Sequence, residues 1–299
     1  MKVLCIGHCA YDITVVTDMY PCEGDKYRVS SKVECGGGPA SNAAYLLGKW
    51  GVDTYMAGVV GNDIYGKKIR DEFSNVNVNT NYLELSNKYN TTSNFIVVNR
   101  KSGTRTIFTY RNPRMKISDI NISIKPDFIL CDAEELDLSL KVIKKYPKAV
   151  SVMDASRARY ASIKLGKVVD YLIVSQSFAE EFTGCKIVSS DMNTISKVYN
   201  LLEDSFKNNI VITLGSDGCV FKNDDMISLM PSYKVSACDT ACAGDFFHGA
   251  FMYGLINKYK YADIMRLCNI TGALSTKVLG GRTSTPKKEE VLRIYEKSR

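Results

Sequence analysis

The sequence predicts a doubly wound α/β fold, in which helices flank a mostly parallel β-sheet. Three observations carry this prediction. Short apolar runs recur along the 299 residues, as expected for strands that are buried on both faces. Helical patterns separate these runs, and an alternation of strand and helix is typical of parallel sheets. Two stretches of β-branched and aromatic residues interrupt the alternation and indicate an additional small β-sheet.

The strands of the main sheet are predicted from the apolar runs. The first run follows the N-terminus, and Gly7 ends it. The predicted strands are Val3 to Ile6, Phe128-Ile129-Leu130, Val150 to Met153, Tyr171 to Val174 and Ile210 to Leu214. Buried parallel strands have this composition.

The predicted helices lie between these strands and in the last fifth of the chain. Two of them are ended by a glycine, which is a common C-terminal signal. The predicted helices are Ser41 to Trp50, Ile64 to Phe73, Glu134 to Lys145, Phe178 to Thr183 and Met192 to Phe206, then a pair at about 245–257 and 261–279, and a last helix from about Lys287.

The small sheet is predicted from insertions at about 11–34 and 91–112. The first contains Tyr11 to Val16 and Tyr27-Arg28-Val29. The second contains two extended runs around Lys101-Ser102-Gly103 and predicts a hairpin. The pattern alone leaves open whether this layer extends the main sheet or covers a site. We expect one domain, 1–299, which carries the insertions.

Composition narrows the classes of partner. The chain is 45% hydrophobic and 24% charged, with a mean hydropathy of -0.12, as in soluble globular proteins. The net charge of +7 is scattered, which favours a small anionic ligand over nucleic acid. No apolar run approaches the roughly 20 residues of a membrane span. The N-terminus does not resemble a secretory signal, so we expect a cytoplasmic protein.

Cysteine and histidine usage argues against a disulfide framework and a multi-histidine metal site. The ten cysteines are dispersed and include no Cys-x-x-Cys, which favours reduced thiols in a chain of this size. Only two histidines, His8 and His248, are present.

The segment from Cys238 to Phe251 is the most informative part of the chain. Small residues up to Gly244 precede an apolar helix and leave backbone N–H groups uncovered at its N-terminus. Such an N-terminus can bind a phosphate. Asp245 stands in the first turn, where it can cap the helix or act as a base. The second aspartate, Asp239, and the small residues between the two favour a function beyond capping.

Two further glycine-rich turns point to ligand binding. Thr213 to Gly218 follows a predicted strand, and strand ends are the usual ligand sites of such sheets. Gly36-Gly37-Gly38 leads into a helix that carries Asn42 in its first turn. This second turn is either a flexible connection or a close approach of backbone to a polar ligand, with Asn42 suited to hydroxyl groups.

The sequence lacks the motifs of several other enzyme classes. There is no Gly-x-x-x-x-Gly-Lys-Ser/Thr, and Gly7-His8-Cys9-Ala10 does not match Gly-x-Gly-x-x-Gly. The absence of Gly-x-Ser-x-Gly disfavours a serine hydrolase.

Taken in order, the motifs resemble those of the ribokinase-like (PfkB-type) carbohydrate kinases along nearly the whole chain. The motif at 239–245 resembles the family signature Asp-Thr-x-Gly-Ala-Gly-Asp, and 36–42 resembles Gly-Gly-x-x-x-Asn. The turn at 213–218 resembles the Thr-Leu-Gly-x-x-Gly nucleotide loop. Gly280-Gly281-Arg282 with Pro286 resembles the stretch that lines the adenine pocket. The hairpin at 103–107 is similar to that of ketohexokinases in the family.

This resemblance implies ATP-dependent phosphorylation of a sugar hydroxyl, with Mg²⁺ and in some relatives K⁺. Asp245 would be the general base, and the N–H groups of Cys242, Ala243 and Gly244 would form an anion hole. The implied substrate-binding residues are Asp12, Gly38, Asn42 and Arg105, and the implied nucleotide-binding residues are Thr213, Gly215, Gly218 and Asn269. The small sheet would act as a lid that excludes water, and lids of this family often pair to form homodimers.

The sequence departs from the family pattern in two places. The family has Asn-x-x-Glu, which organises Mg²⁺ and phosphate, where this chain has Ser175-Gln176-Ser177-Phe178, with Glu180 and Glu181 displaced. The glycine of the anion signature is replaced by Cys242, whose side chain would narrow the hole. Asp239 is expected to ligate a monovalent cation or to have a structural role.

Alternatives to a sugar kinase remain at this stage. A non-catalytic sugar or nucleotide sensor would explain the lost Asn-x-x-Glu. The acceptor could instead be a nucleoside or a sugar phosphate, and Arg28, Arg100, Arg105 and Arg111 are available to bind a second phosphate.

Overall fold

The main sheet follows the predicted doubly wound pattern and has nine strands. A computed structural model describes residues 1–29, 31–101 and 104–298, so Ser102 and Gly103 of the expected hairpin turn lie outside the described residues. In sheet order the strands are β13 (Met226–Met230), β12 (Cys219–Asn223), β11 (Asn209–Thr213), β10 (Tyr171–Ser175), β9 (Val150–Ala155), β8 (Phe128–Cys131), β1 (Lys2–Ile6), β4 (Asp53–Gly61) and β5 (Asn79–Ser86). Pairing is parallel from β5 to β11 and antiparallel from β11 to β13.

Helices cover both faces of this sheet. They are α1 (Pro39–Lys49), α2 (Ile64–Asn75), α3 (Leu136–Lys145), α4 (Tyr160–Gly166), α5 (Gln176–Thr183), α6 (Met192–Phe206), α7 (Ala243–Ile256), α8 (Tyr261–Ser275) and α9 (Lys288–Lys297). Side chains alternate between the two faces of a strand, so Val3 and Cys5 pack in the core of α1, α7 and α8. Leu4 and Ile6 pack in the opposite core with α3 to α6.

A separate four-stranded sheet, which we call the small sheet, arises from the two predicted insertions. Its order is β3 (Lys32–Gly37), β2 (Ala10–Thr17), β6 (Thr92–Asn99) and β7 (Arg105–Tyr110). The strands β2 and β6 pair in parallel, and the other two pairs are antiparallel. The prediction of a mostly parallel α/β sheet with a small β-sheet is therefore confirmed.

One predicted strand of the small sheet is wrong. Tyr27 to Val29 is not in a strand, and β3 is the partner of β2. The glycines expected to form a turn thus belong partly to β3, where Gly37 lies against the side chain of Asp12. A Cβ at Gly37 would come within 2.2 Å of that carboxylate, so a residue other than glycine does not fit.

The predicted helix over about 261–279 ends earlier, at Ser275. The N–H groups of Thr276 and Lys277 bond to carbonyls three residues back, which tightens the last turn. The carbonyl of Thr276 accepts instead from the N–H groups of Cys238 and Asp239, at 2.7 and 3.1 Å. The end of α8 is thereby attached to the loop that precedes α7.

No helix within the described ranges has the length and apolar character that crossing a membrane requires.

Candidate active site

The first turn of α7 places backbone N–H groups beside a carboxylate. Cys242 precedes the helix in a left-handed conformation with φ 61°, and Ala243 begins it. The first N–H groups of a helix have no carbonyl partner within the helix, so they can bind an anion. Asp245 lies in the same turn, where the helix dipole favours an ionised carboxylate. This end of α7 can therefore bind a phosphoryl group and accept a proton.

Asp239 shapes the loop that leads to α7. One of its oxygens accepts from the N–H of Ala241 at 2.9 Å, and the other accepts from the N–H of Gly280 at 2.9 Å. Its side chain is buried. These two bonds give Asp239 a structural role, because they join the loop before α7 to the turn after α8.

A cavity of about 330 Å³ lies beside the first turn of α7. Ala243 and Gly244 form part of its wall. The structure places the four residues expected to bind nucleotide on the same wall: Thr213, Gly215, Gly218 and Asn269. The sequence analysis did not identify Tyr233, Lys234 and Phe247, which also line it.

Asn269 holds part of this wall in place. Its side-chain amide donates to the carbonyls of Met230 and Pro231, at 3.0 and 3.1 Å. These bonds fix the loop after β13 against α8. The residue thus lines the cavity and positions the segment that contains Tyr233 and Lys234.

Asp12 approaches Asp245 from the small sheet. It is 7% exposed, and its Oδ1 accepts from Asn94 Nδ2 at 2.7 Å. Burial raises the pKa of Asp12 to about 6, and the nearby charge of Asp245 acts in the same direction. Asn94 was not predicted, although it is the register partner of Asp12 on β6.

Asn42 contacts Asp245 directly. Its Nδ2 donates to Asp245 Oδ2 at 2.7 Å and to Cys242 Sγ at 3.1 Å. The backbone N–H of Asn42 donates to the carbonyl of Gly38 at 2.8 Å. Gly38 has φ 98°, and a Cβ there would come within 2.2 Å of the carbonyl oxygen of His8. The structure thus brings two of the residues expected to bind a sugar, Gly38 and Asn42, beside the expected base.

Arg105 reaches the loop that precedes α7 from the small sheet. Its Nη1 donates to Thr240 Oγ1 at 2.6 Å. Thr240 also lines the cavity. Arg105 therefore joins the small sheet to the segment between Asp239 and α7.

The sequence suggested that the side chain of Cys242 would narrow the N–H cluster at the start of α7. The structure places this side chain elsewhere. It lies between Asn42 and Gly281, where a Cβ on the glycine would come within 3.0 Å of the sulfur. Burial raises the pKa of the Cys242 thiol well above its ordinary value, so the thiol is neutral.

The residues at the Asn-x-x-Glu position have other roles. Ser175 caps α5: its Oγ accepts from the N–H of Phe178 at 3.0 Å. Glu180 pairs with Lys186 and Glu181 pairs with Arg157, so both glutamates are held by nearby cations. In the described part of the chain, no three His, Cys, Asp or Glu residues are grouped to hold a metal ion.

A buried pair that the sequence analysis missed supports the first turn of α7. His248 Nδ1 lies 3.2 Å from Asp154 Oδ2 and 2.6 Å from the carbonyl oxygen of Gly244. Burial raises the pKa of Asp154 to about 6, while His248 lowers it. Asp154 lies in β9, so the pair ties α7 to the main sheet.

The assignment of the Gly280-Gly281-Arg282 stretch to the adenine pocket does not agree with the structure. Among the described residues that line the cavity, none comes from 280–286. The stretch instead packs beside Asn42 and Cys242, because Arg282 inserts between α1 and α2.

The chain is similar to known proteins over nearly its whole length. The family model "pfkB family carbohydrate kinase" matches residues 1–288. The ribokinase of Staphylococcus aureus is 26% identical and covers 98% of this chain and 99% of its own length. A solved Agrobacterium tumefaciens structure superimposes with a TM-score of 0.88 at 22% identity and covers 99% of this chain and 98% of its own. Arabidopsis thaliana ribokinase, solved with ribose and ATP, has a TM-score of 0.76 at 20% identity and covers 99% and 98%.

Proposed function

The chain belongs to the pfkB family of carbohydrate kinases, and we propose that it transfers the γ-phosphoryl group of ATP to a hydroxyl of a small uncharged sugar. The observation that carries this proposal is the position of Asp245. Its turn of α7 borders the cavity through Ala243 and Gly244, and its carboxylate contacts Asn42 from the other side. A base is thus placed between the cavity and the polar side chains of Asn42 and Asp12. The expected cytoplasmic location fits the use of ATP.

Asp245 acts as the general base in this proposal. It accepts the proton of the sugar hydroxyl as that oxygen attacks the γ-phosphorus of ATP. Helping proton transfer in this way contributes about 100- to 10,000-fold in rate. The side-chain amide of Asn42 donates to Asp245 Oδ2 at 2.7 Å and so holds the carboxylate in a fixed orientation for the sugar hydroxyl.

The N–H groups of Cys242, Ala243 and Gly244 form the anion hole. They lie at the positive end of α7, next to the expected position of the transferred group. Phosphoryl transfer depends mainly on positioning and on charge stabilisation, and fixed backbone donors supply both. Thr213, Gly215, Gly218 and Asn269 hold the nucleotide in the cavity.

Mg²⁺ fits this site as part of the nucleotide. The described residues offer no group of three ligands, and Mg²⁺ commonly keeps several waters while it binds substrate phosphates. When bound, the ion neutralises charge on those phosphates. The replacement of Asn-x-x-Glu agrees with a metal that the protein contacts little.

A monovalent cation at Asp239 is a further part of the proposal. Both carboxylate oxygens already accept an N–H, and each retains a lone pair. K⁺ bound here would stabilise the loop before α7, and comparing turnover in K⁺ and in tetramethylammonium tests this.

Asp12, Gly38 and Asn42 bind hydroxyls of the sugar, and the small sheet excludes water that would compete as acceptor.

Two of the arginines available for a second phosphate are paired elsewhere: Arg100 with Asp18 at 3.1 Å and Arg111 with Glu134 at 2.7 Å. This pairing favours an acceptor without its own phosphate.

We also propose a homodimer through the outer face of the small sheet. This face, which we call the outer patch, carries apolar side chains that share a register across three strands: Ile13, Val15, Phe95, Val97 and Phe108. Phe95 and Phe108 are 52% and 53% exposed. Contiguous exposed apolar surface of this kind marks an interaction site, and a second copy of the same sheet is its natural complement.

The test is an ADP-release assay with MgATP and K⁺ across ketoses, aldoses, sugar acids, nucleosides and sugar phosphates. We expect turnover on one or a few uncharged sugars. Asp245→Asn is the blank, and Asp204→Asn, an exposed position on α6, is the matched control. Binding of ATP and sugar without turnover would instead indicate a sensor, and turnover only on a sugar phosphate would overturn the uncharged acceptor.

A further inference from the structure

A single buried arginine connects the expected base with the small sheet. Arg282 is 3% exposed and lies in the short turn between α8 and α9. Burying a guanidinium requires partners for its N–H groups. The identity of those partners indicates what the residue does.

The guanidinium is bonded through three nitrogens to two helices. Nη1 donates to Glu72 Oε2 at 2.7 Å, Nη2 donates to Ser41 Oγ, and Nε donates to Asn42 Oδ1 at 3.3 Å. The rings of Phe73 and Tyr45 lie 4.4 and 5.2 Å from its central carbon. Arg282 is thus fixed on all sides by α1 and α2.

The bond from Arg282 determines how the Asn42 amide is oriented. Because Oδ1 accepts from the guanidinium, the NH₂ group faces Asp245 Oδ2 at 2.7 Å. The opposite orientation would place an amide oxygen against the carboxylate and an NH₂ against the guanidinium, and both contacts are repulsive. Arg282 therefore makes Asn42 a donor to the expected base.

The same ion pair also contacts the small sheet. The N–H of Gly36 on β3 donates to both oxygens of Glu72, at 3.1 and 2.9 Å. A Cβ at Gly36 would come within 2.2 Å of Arg282 Nη1, so a larger residue would displace the guanidinium. The first glycine of the triple-glycine motif is explained by the space that Arg282 needs.

We propose that Arg282 is a positioning residue for the catalytic base, which it orients through the amide of Asn42 while its partner Glu72 holds β3 in place. This inference rests on the proposed role of Asp245. Arg282 is not among the described residues that line the cavity, and its effect on the reaction passes through Asn42.

The test uses Arg282→Lys, which keeps a positive charge, and Arg282→Met, which keeps only the bulk of the chain. An ammonium cannot reproduce three planar donors, so both variants release Asn42. We expect kcat to fall about tenfold or more, in the range typical of lost base orientation. KM for ATP should stay within about twofold, because Arg282 lies outside the cavity wall.

Two readouts separate positioning from general destabilisation. The lost N–H donor makes the charged form of Asp245 less favourable, so the acid limb of the kcat–pH profile should move to higher pH. In an Asn42→Ala background, Arg282→Lys should change kcat by less than about twofold, because coupled residues are not additive. Arg266→Lys on α8 is the matched control, since it pairs with Asp263 outside this network.

Additive losses from Arg282→Lys and Asn42→Ala, or an acid limb that stays in place, would overturn the inference. Circular dichroism and thermal unfolding confirm that each variant is folded before its kinetics are compared. Failure of the wild-type protein to phosphorylate any sugar would count against the proposed function itself, which makes the two failures distinguishable.

Discussion

At the residue scale, folding buries the carboxylate of Asp12, and burial disfavours its charged form. Burial raises its pKa to about 6, and the bond from Asn94 only partly compensates. A carboxyl whose pKa is raised on folding stabilises the protein below its unfolded pKa, and that contribution is lost as pH rises through the folded value. Asp12 therefore lowers the stability of the folded protein at neutral pH, a cost that its proposed role in sugar binding would explain.

We predict that Asp12→Asn stabilises the protein and does so more at high pH. The gain in the free energy of unfolding should be small near pH 4 and about 3 kcal/mol above pH 7, since each pKa unit is worth about 1.4 kcal/mol. Urea unfolding at pH 4.5 and pH 8 measures it. Asp204→Asn, which is exposed, should show no such pH dependence. Parallel stability curves for Asp12→Asn and wild type would contradict the prediction.

The residues of the candidate site were predictable where one short motif contains the chemistry. Asp245 and its preceding small residues form one helix N-terminus, which local sequence alone specifies. The roles of Asn94 and Arg282 could not be predicted, because each residue contributes to the site through a contact with a residue distant in the chain. Even with its motif noted, Arg282 was assigned to the nucleotide side.

At the element scale, the strand and helix boundaries that local sequence determines were predicted, and those that depend on distant contacts were not. The predicted bounds of α6 agree with the structure because local sequence determines them. The helix has a periodic apolar pattern, and Asp191 caps its N-terminus. The end of α8 was missed because the carbonyl of Thr276 bonds to the distant loop at Cys238. The strands β5, β12 and β13 were not predicted, because tertiary pairing rather than a long apolar run defines them. The strand β4 was also missed, although Tyr55 to Val60 is an apolar run of the kind that predicted the other strands.

The contact between β7 and the loop before α7 leads to a prediction about water exclusion. Arg105→Ala removes the bond to Thr240 and should loosen the small sheet over the transferred phosphoryl group. We expect a severalfold increase in the ratio of inorganic phosphate to sugar phosphate. Phosphorus NMR of the reaction mixture measures both products.

Arg100→Ala is the matched control for this variant, because Arg100 and its ion-pair partner Asp18 are exposed and directly follow β6 and β2 of the small sheet. It should leave the product ratio unchanged. An equal ratio in Arg105→Ala and wild type would show that the contact with Thr240 does not protect the reaction from water.

At the scale of the whole molecule, the two sheets have different chemical tasks. The main sheet positions the cavity and α7 through loops at strand ends, as in other doubly wound folds. The small sheet carries Asp12 and Asn94 on its inner face and the outer patch on the other. Because side chains alternate along β2 and β6, one layer presents the proposed substrate-binding residues on one face and the proposed dimer surface on the other.

We predict that the outer patch forms a dimer interface. Phe95→Glu together with Phe108→Lys should convert a dimer into a monomer, because charges replace apolar side chains at the centre of the patch. Sedimentation equilibrium measures the mass. Met226→Glu, an exposed apolar residue on β13, serves as the control and should stay dimeric. A monomeric wild-type protein at micromolar concentration would contradict the interface.

In the proposed reaction, Asp245 accepts the proton of a sugar hydroxyl while the γ-phosphoryl group moves from ATP to the oxygen of that hydroxyl. The most direct measurement is phosphorus NMR of wild type and Asp245→Asn with MgATP and the sugar found active. We predict sugar phosphate equal in amount to ADP for wild type, and a rate at least about a hundredfold lower for the variant with ATP affinity retained. Equal rates for the two proteins, or ADP accompanied only by inorganic phosphate in the wild type, would contradict the account.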